Sequence, residues 1–182
     1  MSSFVVRPVR ADEWRAAKEL RLAALEDPVA PLAFLETYKE AAARPDSFWQ
    51  ERVAGAAEGQ QERRQVIAEG PDGEWVGSVV VLIEEAGTTD WAGLSAERKQ
   101  GHVVGVYMRP EHRGCGLTEV LFDEALEWAW AVGAERVRLL VHEDNGRAKA
   151  FYGRVGFLES GRTAAAPEGV GGQELELVID RA

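Results

Sequence analysis

The sequence predicts one mixed α/β (α+β) domain spanning residues 1–182, and three observations carry that prediction. Strand-like and helix-periodic runs follow one another in the order β-α-α-β-β-β-α-β-α-β-β. Three consecutive strands interrupt any simple βαβ repetition, which points to helices packed on one central sheet. The chain is 46% hydrophobic and 29% charged, the composition of an ordinary globular protein. A chain of this length buries roughly 70% of its unfolded surface, enough for a core without staples.

Each element has a local reason. FVVRPV (4–9) reads as a strand, and Pro8 places it at a sheet edge or near its own end. Asp12 is positioned to cap a helix running to about Glu26, with Trp14, Leu20, Leu22 and Leu25 as its apolar positions. Pro28 and Pro31 break it, and 34–43 reads as a short helix or irregular chain. Asp46 or Ser47 can cap the next helix, which ends at Gly55. The runs 64–70 and 74–85 are strands joined by Pro-Asp-Gly, a hairpin-type turn. Residues 86–100 form a long loop without periodicity. A strand (102–108), a helix (117–133), a strand (136–143) and an aromatic-rich segment (144–157) come next. The tail is a Gly/Pro/Ala loop over 163–172 and an alternating strand over 173–180.

Charge and cysteine content narrow the function classes. A formal net charge of −10 disfavours nonspecific nucleic-acid binding, which relies on Lys and Arg neutralising phosphates. It is compatible with cationic partners such as amines. A single cysteine, Cys115, excludes an internal disulfide framework and a Cys-rich zinc site; no metal is expected. The first residues show no apolar leader and no apolar run approaches ~18 residues. The expectation is a cytoplasmic protein with no membrane partner.

The segment 102–118 carries the chemistry. A strand runs into the turn Arg109-Pro-Glu-His-Arg-Gly-Cys-Gly116, which opens directly into a helix. Leu117, Leu121, Ala125, Trp128 and Val132 share one stripe of that helix, with Glu119, Asp123, Glu124 and Glu127 largely off it. Free amides at its start, aided by the helix dipole, make a backbone anion trap. Gly114 and Gly116 let the backbone approach a ligand, and Arg109, His112 and Arg113 add basic groups. A dinucleotide fingerprint fails because position 119 is glutamate. A Walker A loop fails because no Gly-Lys-Ser/Thr is present after the turn.

The run Arg113-Gly-Cys-Gly-Leu-Thr118 resembles the Q/R-x-x-G-x-G/A loop of the GCN5-related N-acetyltransferases. Val106-Tyr107-Met108-Arg109-Pro110 is similar to that family's lead-in. Asn145, Ala148, Phe151, Tyr152, Gly156 and Phe157 match its second signature at the right spacing. The element order fits along nearly the whole chain. The resemblance implies a mixed, mostly antiparallel sheet of about seven strands flanked by about four helices. It also implies acetyl-CoA as co-substrate and acetyl transfer to an amine, without a covalent enzyme intermediate. One position departs: Thr118 stands where the pattern has Gly or Ala.

The resemblance further implies a set of roles. Val106, Tyr107 and Met108 would line the pantetheine arm, the amides of Val106 and Met108 bonding it and one of them polarising the thioester. The amides of Arg113, Gly114, Cys115, Gly116, Leu117 and Thr118 would take the pyrophosphate. Asn145 would bond the pantetheine arm or cap the next helix. Arg147 and Lys149 would contact the 3′-phosphate or stand on a solvated helix face. Tyr152 would be the general acid, against the plain alternative of a core tyrosine. The family often has a glutamate base on the fourth strand; this strand has His102 as its only titratable group of that kind, with Glu84, Glu85 or a water relay as rivals. The thiol of Cys115 has no nucleophile arrangement around it. Trp91, Phe34 and Tyr38 could line an acceptor pocket by analogy. A small-molecule amine is the favoured acceptor. A protein N-terminus or lysine, or a CoA-binding sensor that has lost catalysis, are the alternatives, and a homodimer is left open.

Overall fold

The computed structural model describes residues 3–182. Seven strands form one sheet in the order β1-β2-β3-β4-β5-β7-β6. They are β1 (Val5–Pro8), β2 (Arg63–Glu69), β3 (Trp75–Glu84), β4 (Gln100–Met108), β5 (Arg136–His142), β6 (Leu158–Ala165) and β7 (Gln173–Asp180). Every pairing is antiparallel except β4 with β5. That parallel pair requires a crossover, which the helix α5 supplies. The helices are α1 (Trp14–Leu25), α2 (Ala30–Ala33), α3 (Tyr38–Ala42), α4 (Asp46–Ala54), α5 (Leu117–Ala131) and α6 (Gly146–Val155). The four expected helices are α1, α4, α5 and α6. The stretch between α1 and α4 resolves into two single turns, the second fixed by a Thr37/Glu40 capping box.

Two caps differ from expectation. Asp12 does not cap α1, whose first turn is preceded by Glu13; that side chain accepts instead from the Arg10 amide and from Arg7. Asp46 lies inside α4, which begins after Pro45. In the first case the N-cap position falls on Glu13, one residue past Asp12, and Arg7 holds its carboxylate.

The core has two sides. On one face of the sheet α5 and α6 bury Leu121, Phe122, Ala125, Tyr152 and Phe157 against Val79, Val81, Val103, Val137 and Leu139. On the other, α1 and α4 bury Ala17, Leu20 and Val53 against Ile67 and Trp75, and Leu25 packs with Ala41 and Trp49. Alternation along β4 and β5 then decides the rest: if Val103, Val137 and Leu139 face α5, His102 and Arg138 face away from it.

Two irregularities in β4 open the sheet. Val104 pairs with Val80 and Tyr107 with Ser78, so Gly105 and Val106 together oppose one residue of β3. Gly105 accommodates this bulge with φ +62. On its other edge β4 pairs with β5 only as far as Val103 with Leu139. Its last five residues, Val104–Met108, have no β5 partner.

Candidate active site

The opening between β4 and β5 exposes backbone. The Arg109 amide donates to Val76 of β3. By alternation the amides of Met108 and Val106 point the other way, into the gap. At its far end stands the turn before α5. Gly114 and Gly116 adopt φ +76 and +88, conformations that side chains resist. The amide of Arg113 is already committed to Pro110 O at 3.3 Å. The trap therefore narrows to the amides of Gly114, Cys115, Gly116, Leu117 and Thr118, the last two in the first helical turn, where no intrahelical acceptor exists.

The side chains of the turn face inward. Arg113 donates through Nε to Met108 O at 2.8 Å and through Nη2 to Asp27 Oδ2 at 2.7 Å. The expectation of a free cation at Arg113 is thus corrected: its guanidinium ties the end of α1 to the turn. Burial pushes the Asp27 carboxyl up, but the Arg113 guanidinium and the Val29 amide outweigh it and hold it below the usual range. Arg109 donates to Trp75 O at 2.9 Å, His112 packs edge-on against Phe4, and the Cys115 thiol donates to His112 O. The fixed positive character of the turn is that of its amides and the helix dipole.

The wall beyond the gap is α6. Asn145 caps it, its side chain accepting from the Ala148 amide at 3.4 Å. The capping role expected of Asn145 is therefore present in the structure. Tyr152 is 9% exposed among Phe122, Phe151 and Phe157. Burial pushes its phenol well above the ordinary value, so it stays protonated across the neutral range. Lys149 Nζ donates to Glu143 O at 3.1 Å, while Arg147 is exposed.

On the sheet face opposite α5 lies a buried ionic cluster. Arg138, fully buried, donates to Glu84 through Nε and Nη2, both at 3.0 Å, and to Glu176 through Nη1 at 2.9 Å. Arg162 holds Glu176 from β6 at 3.0 and 2.7 Å. Asp90 Oδ2 lies 2.8 Å from an Arg138 nitrogen but outside hydrogen-bonding alignment. His102, 1% exposed, has Nδ1 3.2 Å from Glu84 Oε2. A carboxylate only accepts, so Nδ1 carries the proton and Nε2 is the open nitrogen. Trp91 stacks on the imidazole at 4.7 Å, with 10° between the planes. Burial drives the Glu84 carboxyl up, but bonds from His102, Arg138 and Gln100 prevail and set it at about 2. Glu84 is thus a permanent anion that orients His102, too weakly basic to take a proton itself. Glu85, its rival, is exposed and loosely paired with Lys99 at 3.9 Å. Glu84, Asp90 and His102 offer atoms within 4.8 Å of one another, and Arg138 already supplies counter-charge to the two carboxylates.

The sequence of residues 16–157 matches the Acetyltransferase (GNAT) family. The chain belongs to that family. An uncharacterised N-acetyltransferase of Archaeoglobus fulgidus is 35% identical over 81 residues, 44% of this chain and 51% of that protein. The chain thus matches about half the length of that relative. Among solved structures, an acetyltransferase of the GNAT family from Streptococcus pneumoniae superposes with a TM-score of 0.76 at 17% identity, covering 98% of this chain and all of the other. The PaiA N-acetyltransferase of Thermoplasma acidophilum, solved with coenzyme A, superposes with 0.72 at 16% identity, covering 98% and 99%. At these identities the structures speak for the GNAT fold alone.

The sequence-predicted residues come from two parts of the chain. Val106, Tyr107, Met108 and 114–118 lie along one continuous stretch, and Asn145 and Tyr152 lie on the neighbouring helix. Phe34 lies under Arg21 on the α1 side, while Tyr38 is 42% exposed. Sequence reading missed Arg138, Glu176 and Asp27. The only local signal was a charged residue at a strand position flanked by Val137 and Leu139. Among the described residues no helix is long and apolar enough to cross a membrane.

Proposed function

We propose that this chain, as one catalytic unit over residues 1–182, moves the acetyl group of acetyl-CoA to the primary amine of a small molecule. The supporting observation is the opening of β4 from β5 beyond Val103, closed at one end by a turn of unpaired amides. The amides of Gly114–Thr118 hold the pyrophosphate, and those of Val106 and Met108 hold the pantetheine arm. One of the latter polarises the thioester carbonyl, since a donor fixed in place costs no reorganisation as charge develops. Arg147 stands free to meet the 3′-phosphate. The Asn145 side chain already caps α6, so its role there is to fix the helix that carries Tyr152.

The reaction joins two bound substrates directly. The neutral amine attacks the thioester carbonyl carbon. The C–N bond forms, the tetrahedral intermediate collapses, and the C–S bond breaks. Tyr152 donates a hydrogen bond to the departing thiolate as charge develops on the sulfur; burial keeps the proton on the phenol, and the thiolate takes its own proton from solvent once the C–S bond has broken. The amine's proton passes to His102 Nε2; because His102 is almost wholly buried, a water relay beneath Trp91 carries it.

The test is an amine library assayed for release of free CoA thiol, beside a thermal shift with acetyl-CoA. Stabilisation by acetyl-CoA and thiol release with at least one amine are expected. Binding without turnover of any amine would overturn the catalytic reading. Tyr152→Phe should lower kcat roughly 10²-fold with KM for acetyl-CoA nearly unchanged; full turnover in that variant would remove Tyr152 from the mechanism.

A further inference from the structure

A second feature on the α1 and α4 side of the sheet has no part in the roles above. Between α1, α4 and the bulge of β4 lies a cavity of about 50 Å³. A water needs roughly 10–15 Å³ on this measure, so the space takes a group of about three or four heavy atoms. Its lining includes Arg52, Arg21, Trp49, Gln65 and Ser78, with Gly105 and Tyr107 from the bulge, and no carboxylate.

Two of the polar groups here, Arg52 and the Trp49 indole, are donors without acceptors among the described residues. Among the described residues Arg52 makes no ion pair or hydrogen bond; its neighbour is the ring of Phe48, 5.6 Å away. Burial lowers its affinity for its proton, as does the nearby charge of Arg21. Trp49 is 2% exposed and its indole N–H has no partner among the described residues. Gln65 donates to Ser78 Oγ at 2.9 Å, which leaves the Ser78 hydroxyl proton free to point elsewhere. Arg21 and Arg44 share one carboxylate, Glu36, at 2.8 and 3.1 Å. Three guanidiniums thus meet one carboxylate in a protein whose net charge is −10. The Trp49 indole is a buried donor without an acceptor, which is rare and calls for an explanation, and Arg52 beside it is a partly buried charge without a partner among the described residues. An anion supplies both the missing acceptor and the missing charge.

The place of the cavity says which anion. Gly105 and Tyr107 flank Val106, whose amide we assign to the thioester end of acetyl-CoA. His102 projects from the same face of β4, three residues away. An acceptor anchored here by an anionic head has its amine within a few bonds of the transfer point. We propose that the acceptor is an amino acid or a related amino-phosphonate, its carboxylate or phosphonate bound in this cavity by Arg52 and the Trp49 indole. This rests on the acetyl-transfer reading and specifies its substrate class.

The experiment uses matched pairs in the thiol-release assay: glycine and glycinamide, L-leucine and L-leucinamide, 4-aminobutyrate and 4-aminobutanamide, and 2-aminoethylphosphonate with its neutral diethyl ester. At least one acid should show a KM about 10–100-fold below its neutral partner, the range of a hydrogen bond to a charged group. Arg52→Gln should erase that preference and leave the acetyl-CoA thermal shift unchanged. It should also leave the urea midpoint equal or higher, because it removes a partly buried charge that no carboxylate pairs. Trp49→Phe keeps the ring, loses the donor and should reduce the preference in part. Equal KM values within every pair, or a preference that survives Arg52→Gln, would overturn the proposal. If no amine is acetylated, transfer itself fails. The cavity is then read by calorimetry of the same acids and neutral partners against the CoA complex, where acid binding lost in Arg52→Gln upholds the anion site and its absence rejects it.

Discussion

The turn at 113–118 and the cluster around Arg138 solve the problem of holding charge in opposite ways. The turn is made of backbone. Its useful groups are amides, its glycines are there for φ and close approach, and its one arginine faces inward. The cluster is made of side chains that arrive from β3, the 86–99 loop, β4, β5, β6 and β7, and each charge in it has a partner. A backbone site tolerates exchange of most of its side chains but not a Cβ in a left-handed position. A side-chain cluster tolerates none of its members leaving alone.

That contrast also explains what the sequence disclosed. The turn, its strand and the helix after it are contiguous, so spacing alone placed Gly114, Gly116 and the α5 stripe. Asn145 and Tyr152 were singled out by the resemblance, whose second signature follows the turn one strand later. Six of the sheet's seven strands were equally readable, since alternation and turn residues mark them locally; β6 (Leu158–Ala165) was not placed, and its last residues, 163–165, read as the start of a Gly/Pro/Ala loop. The cluster was not. Arg138 is 54 residues from Glu84 and 38 from Glu176, and nothing local pairs them. Asp27 met Arg113 across 86 residues. The cap of α1 was misplaced by one residue: Asp12 stands before the N-cap position, which is Glu13, and the Glu13 carboxylate bonds Arg7 and the Arg10 amide rather than the helix end.

The largest expected effect breaks the cluster. Arg138→Met keeps most of the side-chain length but strands Glu84 and Asp90 without their shared guanidinium and leaves Glu176 to Arg162 alone. Removing one member of a buried ionic group costs about 3–5 kcal/mol, to be read as a fall in urea unfolding free energy. A loss below ~1 kcal/mol would mean that the cluster is hydrated and behaves like surface charge.

Acid tests the same region through Glu84. Its carboxyl sits at about 2 in the folded protein against an ordinary 4.5. The protonated form is therefore penalised only in the fold. Stability from this group is complete above about 4.5 and is lost as pH falls toward 2. The loss amounts to roughly 2 kcal/mol once the solvent that still reaches the carboxylate is allowed for. Unfolding free energies at pH 6 and pH 3 should differ more in the wild type than in Glu84→Gln. An identical slope in the two proteins would assign acid sensitivity elsewhere.

The turn should respond differently. In Gly116→Ala the new Cβ meets nothing closer than Glu119 Oε2 at 3.6 Å, so space is not the obstacle; the φ of +88 is. The strain is about 1–2 kcal/mol, seen as lower stability or as a relaxed turn with weaker acetyl-CoA binding. Cys115→Ala, by contrast, should leave both unchanged, because only the amide of that residue serves.

The smallest effect sharpens the comparison most, because it asks whether the backbone site has recruited one side chain after all. Thr118 stands in the first turn of α5, partly exposed, with no side-chain hydrogen bond among the described residues. Two consequences compete. Its methyl crowds the pyrophosphate, or its hydroxyl donates to it. A donor to a charged group is worth about 1.5–3 kcal/mol when buried and less at a solvated turn, so we expect roughly a three- to tenfold change in Kd for acetyl-CoA. Thr118→Ala removes both features and Thr118→Val removes only the hydroxyl. If the hydroxyl donates, both variants bind acetyl-CoA more weakly by calorimetry. If the residue only crowds the ligand, Ala tightens binding while Val leaves it unchanged. We expect the first pattern: the hydroxyl sits among amides aimed at the same anion and has no competing acceptor among the described residues. Tightening in Thr118→Ala would return the turn to a site made of backbone alone.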